Sequence, residues 1–542
     1  MLRAAEHILG SIGRRRALAI TLVGLLSFGA SASLSVFGHL TKPRVHDEFS
    51  YLLAADTFAN GRLTNPTHPL WIHFESFHII QQASYASKYP PAQGLILAAG
   101  QMIGGHPMVG VWISTALASA ALCWMLLAWM PPWWAILGSL LMAIHPGLLL
   151  KWGQSYWGGA MATMGGALVF GALRRIMRRP QGHDALLLGL GLAVLANSRP
   201  FEGLVVSLPV AAVLIAWMLG KHGPAFQISV RRIVLPLFLE LMLAGVAMGY
   251  YNLRVTGDPL QMPYQVHEAT YAMAPVLLWQ RPRPEPTYHH EIIRNHHRRA
   301  LAYHQEQQTF DGFAKASAGK VKELWNFFRG SRYFQLLLLL AVIMLPLLMR
   351  DRWSRFALLT CGMLMVGAAM ETWLMPHYVA PVVGLAFVLL LQAMRRLRLW
   401  QWHGIRVGRV VVWALCLLSL VSFATGFAQQ MQRTSSGWGS ERARILAELE
   451  QDGKRHLVMV RYGSLDIPSD SGYREWVYNE ADIDRAKVVW AREMDTPQNR
   501  KLLEYFRDRT VWLVEVDQYD SPPKLTSYPV IATPAGETKN IL

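Results

Sequence analysis

The chain has 542 residues and a formal net charge of +17, from 52 Lys and Arg against 35 Asp and Glu, and 52% of its positions are apolar. The apolar residues are gathered into blocks of about 17 to 22, the length that crosses a hydrocarbon core as a helix. This excludes a string of ordinary soluble domains. The positive charge falls between the blocks, as in loops held on the cytoplasmic side, which sets aside a nucleic-acid partner.

Arg14, Arg15 and Arg16 precede the first block, residues 17–37. With many spans behind it, that block reads as a retained signal-anchor helix with a cytoplasmic amino terminus rather than a cleaved leader. Further blocks cover 91–105, 107–129, 133–150, 155–173, 184–198, 201–219, 233–251, 333–349, 354–373, 377–394 and 409–427. Basic clusters lie at Arg174 to Arg179, Lys221 to Arg232, Arg350 to Arg355 and Arg395 to Arg409. If the amino terminus and the first of these clusters are both cytoplasmic, an even number of crossings separates them, yet five blocks intervene. The segment Pro90 to Gly104 is short, opens with two prolines and carries Gln93 and Gln101, so it reads as an interfacial or re-entrant helix.

The expectation is a mainly α, polytopic bundle of about eleven spans over residues 1–428. A first outer loop (38–106), a long outer loop (252–332) and everything after about 428 lie outside. Near Gln429 the chain turns charged and mixed, with strand-like runs HLVMVR (from His456), KVVW (from Lys487) and VWLVEV (from Val511) separated by helical stretches. Residues 429–542 therefore read as a small extracytoplasmic α/β domain that recognises an acceptor or braces the loops. The cysteines, Cys123, Cys361 and Cys416, all lie inside apolar blocks with no metal-ligand spacing, as reduced packing residues do.

Asp47 and Glu48 stand about ten residues after the first block, at the outer surface. There an ionised pair can meet an amphiphilic substrate, one carboxylate as general base and the other as its helper. A solvated loop pair is the plainer alternative. With Lys88-Tyr89-Pro90-Pro91 before the interfacial helix, this layout resembles the GT-C superfamily of polyprenyl-phosphate-dependent glycosyltransferases, in particular the lipid A aminoarabinose transferases, the protein O-mannosyltransferases and their bacterial relatives. The resemblance implies Asp47 as the catalytic base or metal-associated carboxylate and Lys88 as a contact to the lipid phosphate. Tyr89, standing between the lysine and the prolines, departs from the family's Lys-Pro-Pro.

Such a reaction needs a base for the acceptor hydroxyl and fixed cations for the charge that grows on the departing phosphate. Arg199, at the outer end of a block, meets the second need or pairs with Glu202. His377, in a His-Tyr-x-x-Pro turn, resembles the family's phosphate-contacting element, with pairing to Glu371 the alternative. Lys151 and the aromatics of KWGQSYWGG lie at the same face, where belt aromatics are common. His289, His290, His296, His297 and His304 of the long outer loop raise a zinc site, but no ligand set completes it, and they read as a solvated polar face.

The functional expectation is a glycosyltransferase of a bacterial-type inner membrane. It moves a sugar from a polyprenyl-phosphate donor to an unknown acceptor in the cell envelope, among membrane lipids, with no cofactor identified and room for a divalent metal ion. A transporter or lipid flippase is the first rival, although the ionisable residues gather at span ends rather than at the bilayer midplane. A membrane scaffold with an outer binding domain is the second.

Overall fold

A computed structural model describes the chain apart from residues 1, 39, 222, 331, 433–436, 464–473, 517–522 and 530–542. Helix α1 (Leu2–Arg14) leads through Arg15 into α2 (Arg16–Val36), and α3 (His46–Ala59) follows an extended link. The strands β1 (Ile79–Ile80) and β2 (Ala86–Ser87) pair antiparallel ahead of α4 (Pro91–Gly104), α5 (Pro107–Trp129) and α6 (Pro132–Ala143). Each of these three helices starts on a proline, whose fixed φ and missing N–H suit a first helical position.

A wide turn over Gly147–Lys151 and a tight one over Trp152–Gln154 lead to α7 (Gly159–Ile176), α8 (Gly182–Ala196) and α9 (Pro200–Leu219). Then α10 (Phe226–Ser229) runs through a wide turn into α11 (Leu235–Thr256). The long outer loop is itself helical, as α12 (Pro263–Tyr271), α13 (Glu291–Glu306) and α14 (Phe310–Phe328). The bundle resumes with α15 (Arg332–Ile343), α16 (Leu345–Leu348), α17 (Arg352–Ala369), the tight turn Pro376–Val382, α18 (Val383–Leu397) and α19 (Val407–Gln432).

The main core lies where α5, α6, α7 and α18 meet, around Leu126, Phe170, Leu173, Leu391 and Met394, all buried. Leu208, Phe238, Leu243 and Val421 face outward and exposed, as apolar side chains do on helices solvated by lipid. A methyl group on Gly166 of α7 would lie 1.9 Å from the Pro381 carbonyl oxygen. Only glycine lets α7 meet the Pro376–Val382 turn so closely.

Among the described residues six helices are long and apolar enough to cross a membrane, and seven if α6 and the bent Gly147–Gln154 segment form one span. This falls short of the eleven expected, for a physical reason. Block boundaries drawn on composition overrun the helices: α8 has 15 residues, α15 has 12, and α7 ends on a turn bearing Arg174 and Arg175. At 1.5 Å per residue, α4 with its 14 residues is roughly 21 Å long, short of a span.

Beyond the bundle, α20 (Trp438–Glu450) packs on a sheet of β3 (His456–Tyr462), β4 (Val488–Arg492), β5 (Thr510–Val516) and β6 (Lys524–Ser527), with α21 (Thr496–Tyr505) between β4 and β5. The order is β4-β3-β5-β6. Both neighbours of β3 run parallel to it and β6 is antiparallel, so the expected α/β region is present. His456 to Val460 are buried, as a central parallel strand requires with both faces covered. One face carries Ile445, Leu449 and Trp490. The other, through Leu457 and Met459, packs on Phe49, Leu53 and Phe74 of α3 and the first outer loop.

Polar bonds join the same surfaces: the Ala481 N–H donates to Asp56 Oδ2 (2.7 Å) and Arg492 Nε donates to the Glu75 carbonyl (2.8 Å). At Gly439 a methyl would lie 1.9 Å from the Pro43 carbonyl oxygen, so α20 sits directly on the link into α3.

Candidate active site

Asp47 occupies the first turn of α3 with its side chain 31% exposed. The Tyr89 hydroxyl donates to its Oδ1, and His78 Nε2 lies 3.9 Å from its Oδ2. Tyr51, one turn along α3, stacks on Tyr89 with ring centroids 4.5 Å apart. Burial pushes the Tyr51 phenol up to about 12, with Arg199 opposing and Asp47 and Glu202 adding to the shift. Carboxylate and guanidinium thus act on one side chain.

Arg199 caps the start of α9. Its Nη1 is 3.9 Å from Glu202 Oε1, beyond hydrogen-bonding range, and its guanidinium lies 4.6 Å over the Tyr378 ring. Tyr378 is also in electrostatic reach of Asp47, Glu202 and Glu371. His377 is buried against Trp157, centroids 4.9 Å apart. Among the described residues, Glu202 Oε1, Glu371 Oε1 and His377 Nδ1 are buried atoms with no hydrogen-bond partner.

The structure therefore brings Asp47, Arg199, Glu202, Glu371 and His377 into one neighbourhood. Lys88 has a different carboxylate neighbour: its Nζ is 4.0 Å from Glu268 Oε1 of α12 and 5.4 Å from the Tyr89 ring centroid. Lys151 is exposed, its ammonium 5.2 Å from the Phe327 ring centroid.

Glu48 is held by backbone N–H groups. Its Oε2 accepts the backbone N–H of Arg44 (2.6 Å) and Val45 (3.3 Å), and its Oε1 that of Tyr156 (2.9 Å). Burial raises its pKa and these N–H groups pull it back down. It caps α3 and ties it to the turn before α7, and so fixes where Asp47 stands.

Apart from His289, which is exposed and 2.9 Å from Glu75 Oε2, the histidines of the long loop are not a solvated face. His297 and His304 are buried, and His290 Nε2 bonds the Ile72 carbonyl (2.7 Å). His296 stacks on Phe77 at 4.2 Å, and α12 adds His267, 6.1 Å from the His78 ring. Packing of α12 and α13 on the first outer loop creates this group, and burial holds His78, His267, His296 and His297 below the ordinary imidazole range. Among the described residues no three or more His, Cys, Asp or Glu side chains are arranged to hold a metal ion.

Tyr51, His78, Glu268 and Tyr378 were missed as site residues. His78 is a polar side chain inside the run Phe77 to Ile80, and Tyr378 sits in the His-Tyr-x-x-Pro turn; these were the available signals. Nothing local marks Tyr51 or Glu268.

In sequence the chain matches no family model and no curated protein. In fold it is similar to the archaeal oligosaccharyltransferase AglB of Archaeoglobus fulgidus, solved with an inhibitory peptide and a dolichol-phosphate. The TM-score is 0.51 at 10% identity, covering 92% of this chain and 69% of that one. It is likewise similar to the Archaeoglobus fulgidus oligosaccharyltransferase solved with Zn and sulfate (TM-score 0.50, 11% identity, 81% of this chain and 60% of that one). A weaker likeness, TM-score 0.46 at 12% identity over 91% of this chain and 92% of the other, is to ArnT from Cupriavidus metallidurans bound to undecaprenyl phosphate. The chain thus spans 60% to 69% of the length of the oligosaccharyltransferase chains it matches. The likeness to the two oligosaccharyltransferases shows a shared fold.

Proposed function

We propose that the chain is a membrane glycosyltransferase that moves a sugar from a polyprenyl-phosphate donor to an acceptor hydroxyl at the outer face of an inner membrane. The observation that carries this reading is Asp47, a part-exposed carboxylate fixed by Tyr89 at the start of α3, with Arg199 close enough for both to act on Tyr51. The fold supports it, since AglB, which shares the fold, was solved with a dolichol-phosphate.

Asp47 is the general base that takes the proton of the acceptor hydroxyl. Arg199 and Lys88 face the growing phosphate charge, each with a carboxylate neighbour at 3.9–4.0 Å that leaves its N–H groups available for shorter bonds to phosphate oxygens. His377 offers a further imidazole on the Arg199 side. Glu202 and Glu371 set the charge around Arg199, and Glu48 holds the α3 turn. Lys151 has no role in this scheme. The C-terminal α/β region braces the first outer loop and, through it, the site.

The test is transfer from radiolabelled polyprenyl-phosphate sugars to a cell-envelope extract, by the wild type and by Asp47→Asn. The reading expects transfer by the wild type and its loss in Asp47→Asn. Equal transfer by both removes Asp47 as base, and no transfer from any donor removes the transferase assignment.

A further inference from the structure

Among the described residues, Asp47 has a hydrogen-bond partner on one oxygen and none on the other. The Tyr89 hydroxyl takes Oδ1 and is itself placed by the stack on Tyr51. Oδ2 faces His78 Nε2 across 3.9 Å, too far for a hydrogen bond between them. It is close to the separation a single oxygen bridges when it lies about 2.8 Å from each.

His78 is held there against its backbone preference. Its φ is +65°, in the left-handed region that non-glycine residues rarely adopt. Its carbonyl is fastened by the Ser50 hydroxyl (2.7 Å) and the Lys88 N–H (3.2 Å). Strain of this kind persists where surrounding contacts overdetermine it, and it gathers at functional sites. The His78 Nδ1 is buried with no hydrogen-bond partner among the described residues. Rings of Tyr89, His296 and His267 lie 5.9, 6.0 and 6.1 Å away. A neutral imidazole carries one N–H and one bare nitrogen, and the acceptor-only carboxylate of Asp47 selects the tautomer with the proton on Nε2.

We propose that Asp47 Oδ2 and His78 Nε2 form the seat of the acceptor hydroxyl, and that Tyr89 is the residue that positions Asp47. The inference rests on the transferase reading above. The hydroxyl oxygen accepts from His78 Nε2–H and donates to Asp47 Oδ2. Its proton passes to Oδ2 as the new C–O bond forms at the anomeric carbon of the sugar. The bond from that carbon to the phosphate oxygen breaks, and its electron pair leaves with the lipid phosphate, which gains the negative charge that Asp47 gives up. Tyr89 keeps Oδ1 occupied, so Oδ2 is the oxygen turned to the substrate. This role also accounts for the tyrosine inserted between Lys88 and the prolines.

The experiment uses the full chain in lipid nanodiscs, an undecaprenyl-phosphate-linked radiolabelled hexose as donor and a cell-envelope extract as acceptor. Tyr89→Phe keeps the stack on Tyr51 and removes only the hydroxyl. It is expected to lower kcat about tenfold while leaving the donor KM unchanged. His78→Phe is expected to raise the amount of extract giving half-maximal rate about tenfold. His78→Asn, which tolerates positive φ and keeps an N–H donor, is expected to recover part of that loss. Tryptophan-fluorescence titration with undecaprenyl phosphate is expected to read the same for all variants and shows that each is folded. Unchanged kcat in Tyr89→Phe and unchanged acceptor dependence in both His78 variants, with Asp47→Asn inactive, overturns the seat and leaves the transferase reading standing. A wild type that transfers from no donor overturns both.

Discussion

Phe49 of α3 and Tyr478 of the C-terminal region lie face to face, ring centroids 4.3 Å apart and planes 6° apart. The pair joins the outer loop to the sheet inside a shared apolar core. Phe49→Ala leaves a cavity there and is expected to destabilise by roughly 3–5 kcal/mol, whereas Phe49→Leu costs less. The expected readouts are a lower thermal midpoint and faster proteolytic cleavage after residue 428.

Arg492 and Glu475 form an ion pair with side chains 2% and 0% exposed. Breaking one partner leaves the other charge buried and uncompensated, so Arg492→Met is expected to destabilise by roughly 3–5 kcal/mol. Adding Glu475→Gln removes the orphaned charge and is expected to recover part of the loss. A double-mutant cycle on thermal midpoints measures the coupling.

Legibility in the sequence followed the range of the interaction. Strands β3, β4 and β5 lie within a residue or two of the runs HLVMVR, KVVW and VWLVEV, because apolar β-branched runs are a local signal. Asp47, Arg199 and His377 stood out as charged or polar groups at the ends of apolar blocks, and the fold brings them near one another. The histidines did not, because His78 and His296 are packed together only where α13 folds back on the first loop, and no local pattern encodes that contact. Lys88 was seen without its counterion Glu268 for the same reason. Tyr89 was visible as a departure from the family motif, but its role depends on Asp47, which is distant in sequence.

The buried imidazoles predict acid sensitivity. The pKa of His297 is lowered from 6.5 to about 3, with burial the larger cause and Lys88 adding to it; His78, His267 and His296 shift the same way. The unfolded chain binds these protons first, so the stabilisation is complete above pH ~6.5 and is lost as pH falls toward the folded values. For His297 alone the loss is about 2 kcal/mol at pH 5. Thermal midpoints are expected to hold between pH 7 and 8 and to fall below pH 6, with a smaller fall in His297→Phe.

Lys88 and Glu268 make a second, charge-based prediction. If Lys88 meets the donor phosphate, Lys88→Met is expected to raise the donor KM about tenfold, the loss of one charge-assisted hydrogen bond. Glu268→Gln removes the competing anion 4.0 Å away and is expected to lower the same KM a few-fold. Both effects are expected to shrink at high salt to the extent that solvent reaches the pair.

Gly166 tests whether the turn bearing His377 and Tyr378 must sit where it does. A methyl group there would lie 1.9 Å from the Pro381 oxygen, so Gly166→Ala forces α7 and the turn apart by roughly 1 Å. The Arg199 guanidinium over Tyr378 and the His377 contact with Trp157 both depend on that turn. A displacement of about 1 Å at reacting groups lowers a rate roughly 100-fold, whereas overpacking costs only about 1–3 kcal/mol of stability. Gly166→Ala is therefore expected to fold with a modestly lower thermal midpoint and to lose most of its transfer rate. Gly362 of α17, where a methyl would meet nothing within 4 Å, supplies the control. Gly362→Ala is expected to keep its rate and gain about 1 kcal/mol of helix stability. If Gly166→Ala transfers as fast as Gly362→Ala, the turn is not part of the working site.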